Sequence, residues 1–350
     1  KLYFSKSVVK SSDIDQDGDL DLFIGGRLIP GKYGLSERSA ILINNKGYFE
    51  DKTEAFIPEL AKPFECVTDV CWIDLDKDKD EDLVIVGEWS PVRIFINEKT
   101  KFVEKSASYK TDSLFGWWNT IQKCDLNGDG NEDLVLGNLG TNIKFKASMV
   151  KPFLVYLNDF DHNGTWDTYL ASRDPDGTLF PVRGRQCSSE QMPFISEKFS
   201  NYDQFAKASL EEILDGKMDG TVKKMATEFH SIILMNNGDG TFTKIELPAE
   251  AQISTVQSIA FYDFNQDGVK DILLGGNYYN REVETVRNDA SVGQILLNVG
   301  GGQYAPLVNP VSGLKLYNDL REMRIIKVKD KSVIIGANNN EKLQAFRIKV

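Results

Sequence analysis

The sequence has few of the residues on which enzyme sites most often depend. Its 350 residues include two histidines and four cysteines. It contains no G-x-S-x-G, H-E-x-x-H or C-x-x-C motif and no phosphate-binding loop. His162 falls inside an acidic loop and His230 opens a predicted strand, so each histidine has a structural explanation. These absences disfavour nucleophilic, zinc-dependent and phosphoryl-transfer catalysis.

Further absences narrow the class of protein. No segment reaches the ~18 consecutive apolar residues of a membrane-spanning helix, and the start KLYFSKSVVK is too short and polar for a signal peptide. The formal net charge of −11 disfavours nucleic acid, which selects basic surfaces. Cys66 and Cys71 are an odd number of residues apart on one predicted strand, so their side chains point to opposite faces and cannot bridge. With Cys124 and Cys187 they are expected to be buried small hydrophobes.

Acidic residues, by contrast, are abundant and regularly spaced. The stretch DIDQDGDLDLFIGG (13–26) places aspartates at positions 1, 3, 5, 7 and 9 of a loop and a glycine at position 6. This spacing resembles the first half of a calcium loop, in which the glycine permits a sharp turn. Position 12 is Ile24, not the bidentate glutamate of a helix–loop–helix hand, so the loop closes at position 9 and continues into a strand. The alternative for a single copy is a solvated acidic turn.

The pattern occurs five times, which chance does not explain. The other copies are DLDKDKDEDLVIVG (74–87), DLNGDGNEDLVLG (125–137), DFDHNGTWDTYLA (159–171) and DFNQDGVKDILLGG (263–276). We predict up to five Ca²⁺ ions, which would bring the net charge close to neutral. The predicted ligands are positions 1, 3, 5, 7 and 9 of each loop: Asp13, Asp15, Asp17, Asp19 and Asp21; Asp74, Asp76, Asp78, Asp80 and Asp82; Asp125, Asn127, Asp129, Asn131 and Asp133; Asp159, Asp161, Asn163, Thr165 and Asp167; and Asp263, Asn265, Asp267, Val269 and Asp271.

The five loops are not equivalent. Lys79 replaces the glycine at position 6 of the second loop, which predicts a turn that is strained or differently built. Asn163 and Asn265 replace carboxylates in the fourth and fifth loops. Because fewer carboxylates mean weaker calcium binding, the first loop is expected to bind most tightly. The geometry of the second is the least predictable.

The segments around the loops predict an all-β fold. A strand such as CVTDVCWI precedes each loop and an apolar run follows it. In most units a third strand then ends in Asn before a turn and an aromatic residue, as in SIILMNNGDGTFTKIELP. Each unit is therefore a four-stranded antiparallel meander, the blade of a β-propeller.

Six units are recognisable, and residues 1–350 are predicted to form a single propeller domain. The units span 4–56, 64–108, 114–150, 152–250, 252–310 and a loop-less 320–350, and the short third unit can share strands with the fourth. Seven blades are expected, one of them partly missing or completed by upstream chain, and six is the alternative. Residues 188–229 break the β pattern with a capping box at Ser209 and Glu212 and apolar residues at helical spacing. They are predicted to be a helical insertion within the fourth blade.

The D-x-D-x-D-G-x-x-D-[LI]-x-[IVL]-G repeats resemble the FG-GAP/VCBS repeats of integrin-α-like propellers. More narrowly, GWWNTIQKCDLNGDGNEDLVLGNLGTN, QMPFISEKFSNYDQFAKASL and VVKSSDIDQDGDLDLFIGGR resemble the large bacterial VCBS-repeat, ASPIC/UnbV-associated proteins of Bacteroidota type. The resemblance implies that this sequence is the C-terminal part of a longer chain. It also implies calcium binding and an exported or surface lipoprotein at the outer membrane of a Gram-negative bacterium, sometimes beside a nutrient transporter.

Propeller geometry also predicts a partner-binding face. If the acidic loops join the first two strands of each blade, they share one face, and the connections after the second strands lie on the other. Those connections are rich in Arg, Trp, Tyr and Asn, which dominate binding hot spots and sugar-stacking sites, although each aromatic residue could equally be core at a blade end. The candidate partner-binding residues are Arg27, Trp89, Asn138, Arg183, Tyr278, Tyr279 and Arg281.

Together these features predict a non-catalytic, surface-exposed, calcium-binding module that binds a protein or glycan partner or acts as a scaffold. Millimolar extracellular calcium suits weak multi-site loops and a location outside the cytoplasm. The alternative is a calcium-dependent polysaccharide lyase whose general base is Tyr278 or Tyr279. The sequence does not identify the ligand.

Overall fold

Short antiparallel sheets make up most of the molecule. The computed structural model describes residues 5–280 and 285–349, and these residues contain 24 strands arranged in six sheets. Four of the sheets have four strands, as the repeat pattern predicts. The expectation of an all-β, propeller-like fold is therefore confirmed.

The first two sheets are regular meanders. The first contains β1 (Lys6–Ser12), β2 (Asp21–Gly26), β3 (Ala40–Asn45) and β4 (Tyr48–Asp51), and is followed by α1 (Thr53–Phe56) and a 3₁₀ turn (Pro58–Ala61). The second contains β5 (Cys66–Ile73), β6 (Asp82–Ser90), β7 (Arg93–Asn97) and β8 (Phe102–Glu104), with β9 (Gly116–Trp117) paired to β6. In both, the acidic loop joins the first two strands and its last aspartate opens the second.

The third sheet is interrupted by an insertion. It begins with β10 (Thr120–Cys124) and β11 (Asp133–Gly137), after which the chain leaves the sheet. We call the inserted residues 139–230 the cap. The cap holds the strands β12 (Phe153–Asn158), β13 (Asp167–Arg173), β14 (Leu179–Pro181) and β15 (Val222–Ala226), and the helices α2 (Arg185–Gln191), α3 (Phe194–Lys198), α4 (Tyr202–Lys207) and α5 (Leu210–Ile213). The chain then completes the third sheet with β16 (Ile232–Asn236) and β17 (Phe242–Glu246), in the order β10-β11-β16-β17.

Two further sheets follow the cap. The fourth sheet, counted without the sheet of the cap, contains β18 (Ser258–Tyr262), β19 (Asp271–Gly275), β20 (Gln294–Asn298) and β21 (Tyr304–Leu307). A 3₁₀ turn (Ala249–Gln252) precedes it and α6 (Asn309–Ser312) follows it. The fifth contains β22 (Leu320–Val328), β23 (Lys331–Asn338) and β24 (Gln344–Arg347). In the described residues no helix is long and apolar enough to cross a membrane.

Five of the six sheets surround a common axis. Their first strands, or the residues just before them, line one cavity of about 400 Å³, which we call the axial cavity. Apolar clusters join each of these sheets to the next, from the first through the fifth. These five sheets form the ring. The count of seven blades is not confirmed, nor is the alternative of six, because one of the six sheets lies outside the ring.

Glycine at the end of the second strands permits the sheets to approach closely. A Cβ atom at Gly25 would lie 2.9 Å from Val67 of the second sheet, and one at Gly137 would lie 2.8 Å from Val256 of the fourth ring sheet. Any larger residue would therefore push neighbouring sheets apart. Together with Gly275, which lies against Leu320 of the fifth sheet, this explains the glycine that ends the apolar run in three repeats, whereas a Cβ at Gly87 would meet the carbonyl of Cys66 in its own sheet.

The unit predicted as a fourth blade is instead the sheet of the cap. One face of this sheet is covered by the cap's helices, with Met192, Ile195 and Phe205 buried against it. Its other face packs on the ring through Phe153 and Leu157, against Trp89 and Trp117. The helical part of the insertion is confirmed, including the capping box between Ser209 and Glu212. The predicted helical range ends too late, because β15 lies within it and completes the cap sheet.

Candidate metal loops and the capped face of the ring

All five acidic loops share one backbone conformation. Position 4 has a positive φ in every loop, including φ 59° at His162. Position 6 also has a positive φ in every loop, from 77° to 96°. Its amide donates to Oδ2 of the position-1 aspartate at 2.9–3.2 Å in each copy. The loop is thus folded around the position-1 carboxylate.

The position-9 aspartate fastens each loop to its sheet. In the third loop, Oδ2 of Asp133 accepts from the amide of Leu126 at 2.9 Å, and Oδ1 accepts from the amide of Asn236 at 2.8 Å. The first, second and fifth loops repeat both bonds, and the cap loop replaces the second with Gln191 Nε2. Both carboxylate oxygens are therefore engaged by the protein. The predicted ligand role of this position remains a prediction.

Besides the position-9 aspartate, an Asn at the end of the third strand holds the loop in place in the ring sheets that have an acidic loop. The sequence analysis did not assign a role to this Asn. The side-chain amide of Asn97 donates to the carbonyl of Glu81 in its own loop and to that of Ile14 in the preceding sheet's loop. Asn298 does the same with Lys270 and Leu126. Asn97 and Asn298 therefore connect neighbouring loops, and the signal was present in the sequence, because Asn ends the third strand in most units.

Three loops contain buried oxygens that lack a partner. In the described part of the chain, buried oxygens without a hydrogen bond occur at positions 1 and 7: Oδ1 of Asp13 and Asp19, Oδ1 of Asp74, both oxygens of Asp80, and Oδ1 of Asn131. Ligand oxygens at positions 1, 3 and 5 of the first and second loops, and at 1, 3 and 9 of the cap loop, lie within 4.8 Å of one another. Oxygen-only donor sets of this kind suit a hard cation. These clusters could therefore hold a metal ion.

The pKa values of the loop carboxyls also favour a bound cation. Burial raises the pKa of the position-9 carboxyl in all five loops, to about 7 for Asp82. Burial and the neighbouring Asp78 raise the pKa of Asp80 to about 6. These carboxylates repel one another without a counter-charge, so each loop favours either a proton or a cation.

The backbone of the second loop is strained at Lys79. Lys79 adopts φ 77°, a conformation that costs an L-residue roughly 1–2 kcal/mol, whereas glycine loses only about 0.5–1 kcal/mol of entropy. We expect Lys79→Gly to raise the free energy of unfolding by about 0.5–1 kcal/mol, measured by urea denaturation in calcium. The matched control is Gly130→Lys, at the same position of the third loop, where no atom lies within 4 Å of an added Cβ. This control should destabilise by a similar amount, and an unchanged midpoint in both variants would contradict the strain.

The structure buries two of the candidate partner-binding residues. Trp89 is 2% exposed beneath the cap, where its ring stacks on Phe153 with centroids 5.7 Å apart. Asn138 is 0% exposed and donates to the carbonyls of Glu228 and His230, which joins the two ends of the cap. Because both side chains are internal, the partner role predicted for them is not supported.

The other candidates are spread around two cavities under the cap. The upper cavity, of about 300 Å³, is lined by aromatic side chains with Arg183 and Tyr278, and the lower cavity, of about 180 Å³, by polar side chains with Arg27 and Tyr278. Arg27 is paired with Glu88 at 2.5 Å. Tyr279 points elsewhere and donates to the carbonyl of Tyr317. Arg281 lies outside the described residues.

His230 lies beside the attachment of the cap. Its Nδ1 is 2.6 Å from Oε1 of Glu228, whose other oxygen is 2.5 Å from the ammonium of Lys244. Hydrogen bonds to Lys244 and His230 lower the pKa of Glu228 in spite of its burial. The group therefore forms an ion-paired network at the base of the cap, which agrees with the structural explanation of this histidine.

Repeated four-stranded sheets with an acidic loop between their first two strands define a propeller-like repeat protein. The model of the FG-GAP-like repeat matches two stretches of this chain, residues 13–85 and 74–136, which contain the first three acidic loops. Such repeats are typical of binding and scaffold modules and of extracellular or surface proteins.

Two solved structures show distant similarity. The biofilm matrix protein Bap1 of V. cholerae is 9% identical with a TM-score of 0.32, and the match covers 95% of this chain and 66% of that one. This chain thus spans just under two thirds of Bap1. The BBS1N protein in a complex with ARL6DN is 10% identical with a TM-score of 0.25, over 99% of this chain and 93% of that one. A search of curated proteins finds no match.

Proposed function

We propose that this protein is a non-catalytic, calcium-stabilised propeller module that binds a partner through the capped face of its ring. The observation that carries the metal part is the set of buried oxygens without a hydrogen-bond partner at positions 1 and 7 of the first two loops and at position 7 of the third. Calcium takes six to eight oxygen ligands in flexible geometry, so it suits loops that mix carboxylate, amide and backbone oxygens.

The three loops with partnerless oxygens are the proposed primary sites. In the fifth loop, both oxygens of Asp263 accept amide hydrogen bonds, and position 7 is Val269, which offers no side-chain ligand. In the cap loop, Asp159 is engaged in the same way and position 7 is Thr165. Both oxygens of Asp125 in the third loop are engaged as well, so we expect the fifth and cap loops to bind calcium more weakly than the first two loops.

The hydrogen bond and the pKa of Tyr279, one of the two candidate general bases, support the proposal that the protein is not a lyase. The hydroxyl of Tyr279 donates to a carbonyl, and burial raises its pKa, which opposes the tyrosinate that a lyase would need. Incubation with uronate-containing glycans tests this directly, since β-elimination would give an unsaturated product absorbing near ~235 nm. Turnover that is lost on mutation of Tyr278 or Tyr279 would replace the binding proposal with the lyase.

The location proposed for the protein is the cell surface, as part of an outer-membrane assembly. The binding function is tested by retention of a partner from bacterial membranes on the immobilised protein, in 2 mM calcium (about the extracellular level) and in EDTA. We expect a partner that is retained only in calcium and is lost in Tyr278→Ala, which changes a tyrosine that lines both cavities under the cap. The control Tyr48→Ala removes an 83% exposed tyrosine beside the first acidic loop, on the opposite face. Retention that is unchanged both in EDTA and in Tyr278→Ala would contradict the proposal.

A further inference from the structure

One polar side chain from each ring sheet reaches the same level of the axis. These residues are Ser7, Thr68, Asn119, Gln257 and Arg321, and all five line both the axial cavity and the lower cavity beneath the cap. We call them the polar collar. The two cavities therefore meet at the collar, and Tyr278 connects the lower cavity with the aromatic one above it.

Irregular strand pairing produces the collar. The register of β1 shifts between Lys6 and Val9, which includes Ser7, and that of β5 shifts between Val67 and Asp69, at Thr68. The register of β22 shifts between Leu320 and Glu322, at Arg321. A β-bulge re-aims a side chain out of the ordinary alternation of a strand, and bulges are common beside binding sites. Asn119 and Gln257 reach the same level because they immediately precede β10 and β18.

The repeat places the collar at a fixed distance from the metal loops. Ser7, Thr68, Asn119 and Gln257 each lie six residues before the first aspartate of their loop. The corresponding residue of the cap loop is Phe153, which is buried against the ring. The residue six positions before the first aspartate is therefore polar in the ring, where it faces the axis, and apolar in the cap.

The charges around the collar are balanced. Arg27 pairs with Glu88 at 2.5 Å, Arg321 with Asp319 at 2.9 Å, and Lys10 with Asp69 at 3.4 Å. An ionic ligand would have to compete with these pairs. In the described part of the chain, the side-chain amide of Gln257 has no hydrogen-bond partner, and Asn119 uses only its Nδ2, on the carbonyl of Trp117. The collar therefore offers neutral donors and acceptors beside paired charges, and the guanidinium of Arg183, which lines the upper cavity, is hydrogen bonded to Oε1 of Gln191.

An apolar wall adjoins this polar floor. Tyr33, Trp117, Phe145 and Tyr278 line the upper cavity, and the exposed Asn280 lies at its rim. Aromatic faces beside amide and hydroxyl groups match a ligand that has one apolar face and many hydroxyl groups. The upper cavity of about 300 Å³ lies at the lower end of the roughly 300–1,000 Å³ of small-molecule pockets, and the adjoining lower cavity adds about 180 Å³.

We infer that the polar collar and the aromatic cavity above it form one binding site for a neutral sugar unit, such as the end of a glycan. This inference rests on the proposed binding function and gives it a ligand class and a position under the cap. The sugar ring would stack on Tyr278, and its hydroxyl groups would bond to Gln257 and Asn119.

Saturation-transfer NMR and titration calorimetry with defined sugars test the inference in 2 mM calcium (about the extracellular level). The probes are the neutral methyl glycosides of glucose, galactose and mannose, N-acetylglucosamine, and the charged glucuronate and galacturonate. We expect at least one neutral probe to bind. Its affinity should fall about tenfold in Tyr278→Ala and in Gln257→Ala, as expected for one lost stacking or hydrogen-bonding partner. The matched control Tyr279→Ala, which changes the adjacent tyrosine outside both cavities, should bind normally.

Gln257→Ala keeps the test valid if Tyr278→Ala fails to fold, because no hydrogen bond of the described fold uses the Gln257 side chain. Binding of uronates alone, absence of binding by every probe, or an equal loss in Tyr279→Ala would overturn the inference. If the sugars fail while a membrane partner is still retained in a calcium-dependent manner, only this inference is lost. If the melting temperature is the same in calcium and in EDTA, the metal part of the proposed function is contradicted instead.

Discussion

Removal of calcium should lower the melting temperature by about 10 °C or more. Each ion binds the folded loop and not the unfolded chain, so each site contributes about 2.7 kcal/mol at a hundredfold excess over its Kd. Three loops contain buried oxygens without a partner, and their contributions should add to about 8 kcal/mol if the sites are independent. For a chain of this size each kcal/mol corresponds to roughly 1–2 °C. Calorimetry in 2 mM calcium (about the extracellular level) and in EDTA measures the difference.

The pH dependence provides a second readout of the same loops. The pKa of Asp82 is raised from 3.8 to about 7 in the folded chain, so folding without metal takes up a proton. The corresponding stability is fully present below about pH 4 and is lost as the pH rises through 7. In EDTA the melting temperature should therefore be higher at pH 5 than at pH 8.

In calcium this difference should shrink or reverse, because the cation replaces the proton as the counter-charge. Magnesium serves as the control ion, since it requires a rigid octahedral site and should restore less stability than calcium. A melting temperature that is the same in EDTA and in calcium would show that the loops are acidic turns and not metal sites.

The repeated local features of the fold could be predicted from the sequence. Acidic spacing, the glycine after the apolar run and the Asn before each hairpin turn are all consequences of contacts within one sheet or with the next. The loop conformation around Asp13 is an example, because hydrogen bonds within the seven residues 13–19 fix it. The capping box at Ser209 is another, since its two hydrogen bonds lie within four residues.

The place of the cap could not be predicted, because it depends on contacts that are distant in the sequence. The cap loop has the same spacing as the others, so its strands were assigned to a blade. What removes them from the ring is the pairing of β11 with β16, in which Leu134 lies opposite Leu234. That pairing leaves β12 to β15 on the ring face, where Phe153 buries Trp89. Local periodicity carries no signal for such a contact.

Partner residues were the least predictable part for the same reason. Trp89 and Asn138 are of the types that bind partners, but the cap uses both internally. The polar collar was overlooked because Ser, Thr, Asn and Gln at the start of a strand are individually unremarkable. They become a site only when bulges in β1, β5 and β22 turn them toward one axis. The fixed distance of six residues to the following aspartate is the sequence signal that could have indicated them.

Asp133→Ala should destabilise the protein even without metal. The carboxylate is 0% exposed and accepts from two buried amides, those of Leu126 and Asn236. Each amide that loses its acceptor costs about 1–3 kcal/mol, so the variant should lose roughly 3–5 kcal/mol in EDTA, measured by urea denaturation. If Asp133 is also a ligand, as the repeat pattern predicts, calcium stoichiometry should fall by one ion.

The matched control is Asp129→Ala, at the exposed position 5 of the same loop. Its carboxylate bonds only within the loop, to Asn127 and the amide of Asn131. It should therefore weaken calcium binding at this loop while the stability in EDTA changes by less than about 1 kcal/mol. The two readouts separate the two roles of Asp133. Wild-type stoichiometry with a large loss of stability would leave Asp133 as a clamp alone, because its two oxygens are then fully used by the amides. Wild-type stability in EDTA would contradict the clamp itself, since it would mean that two buried amides do not need their acceptor.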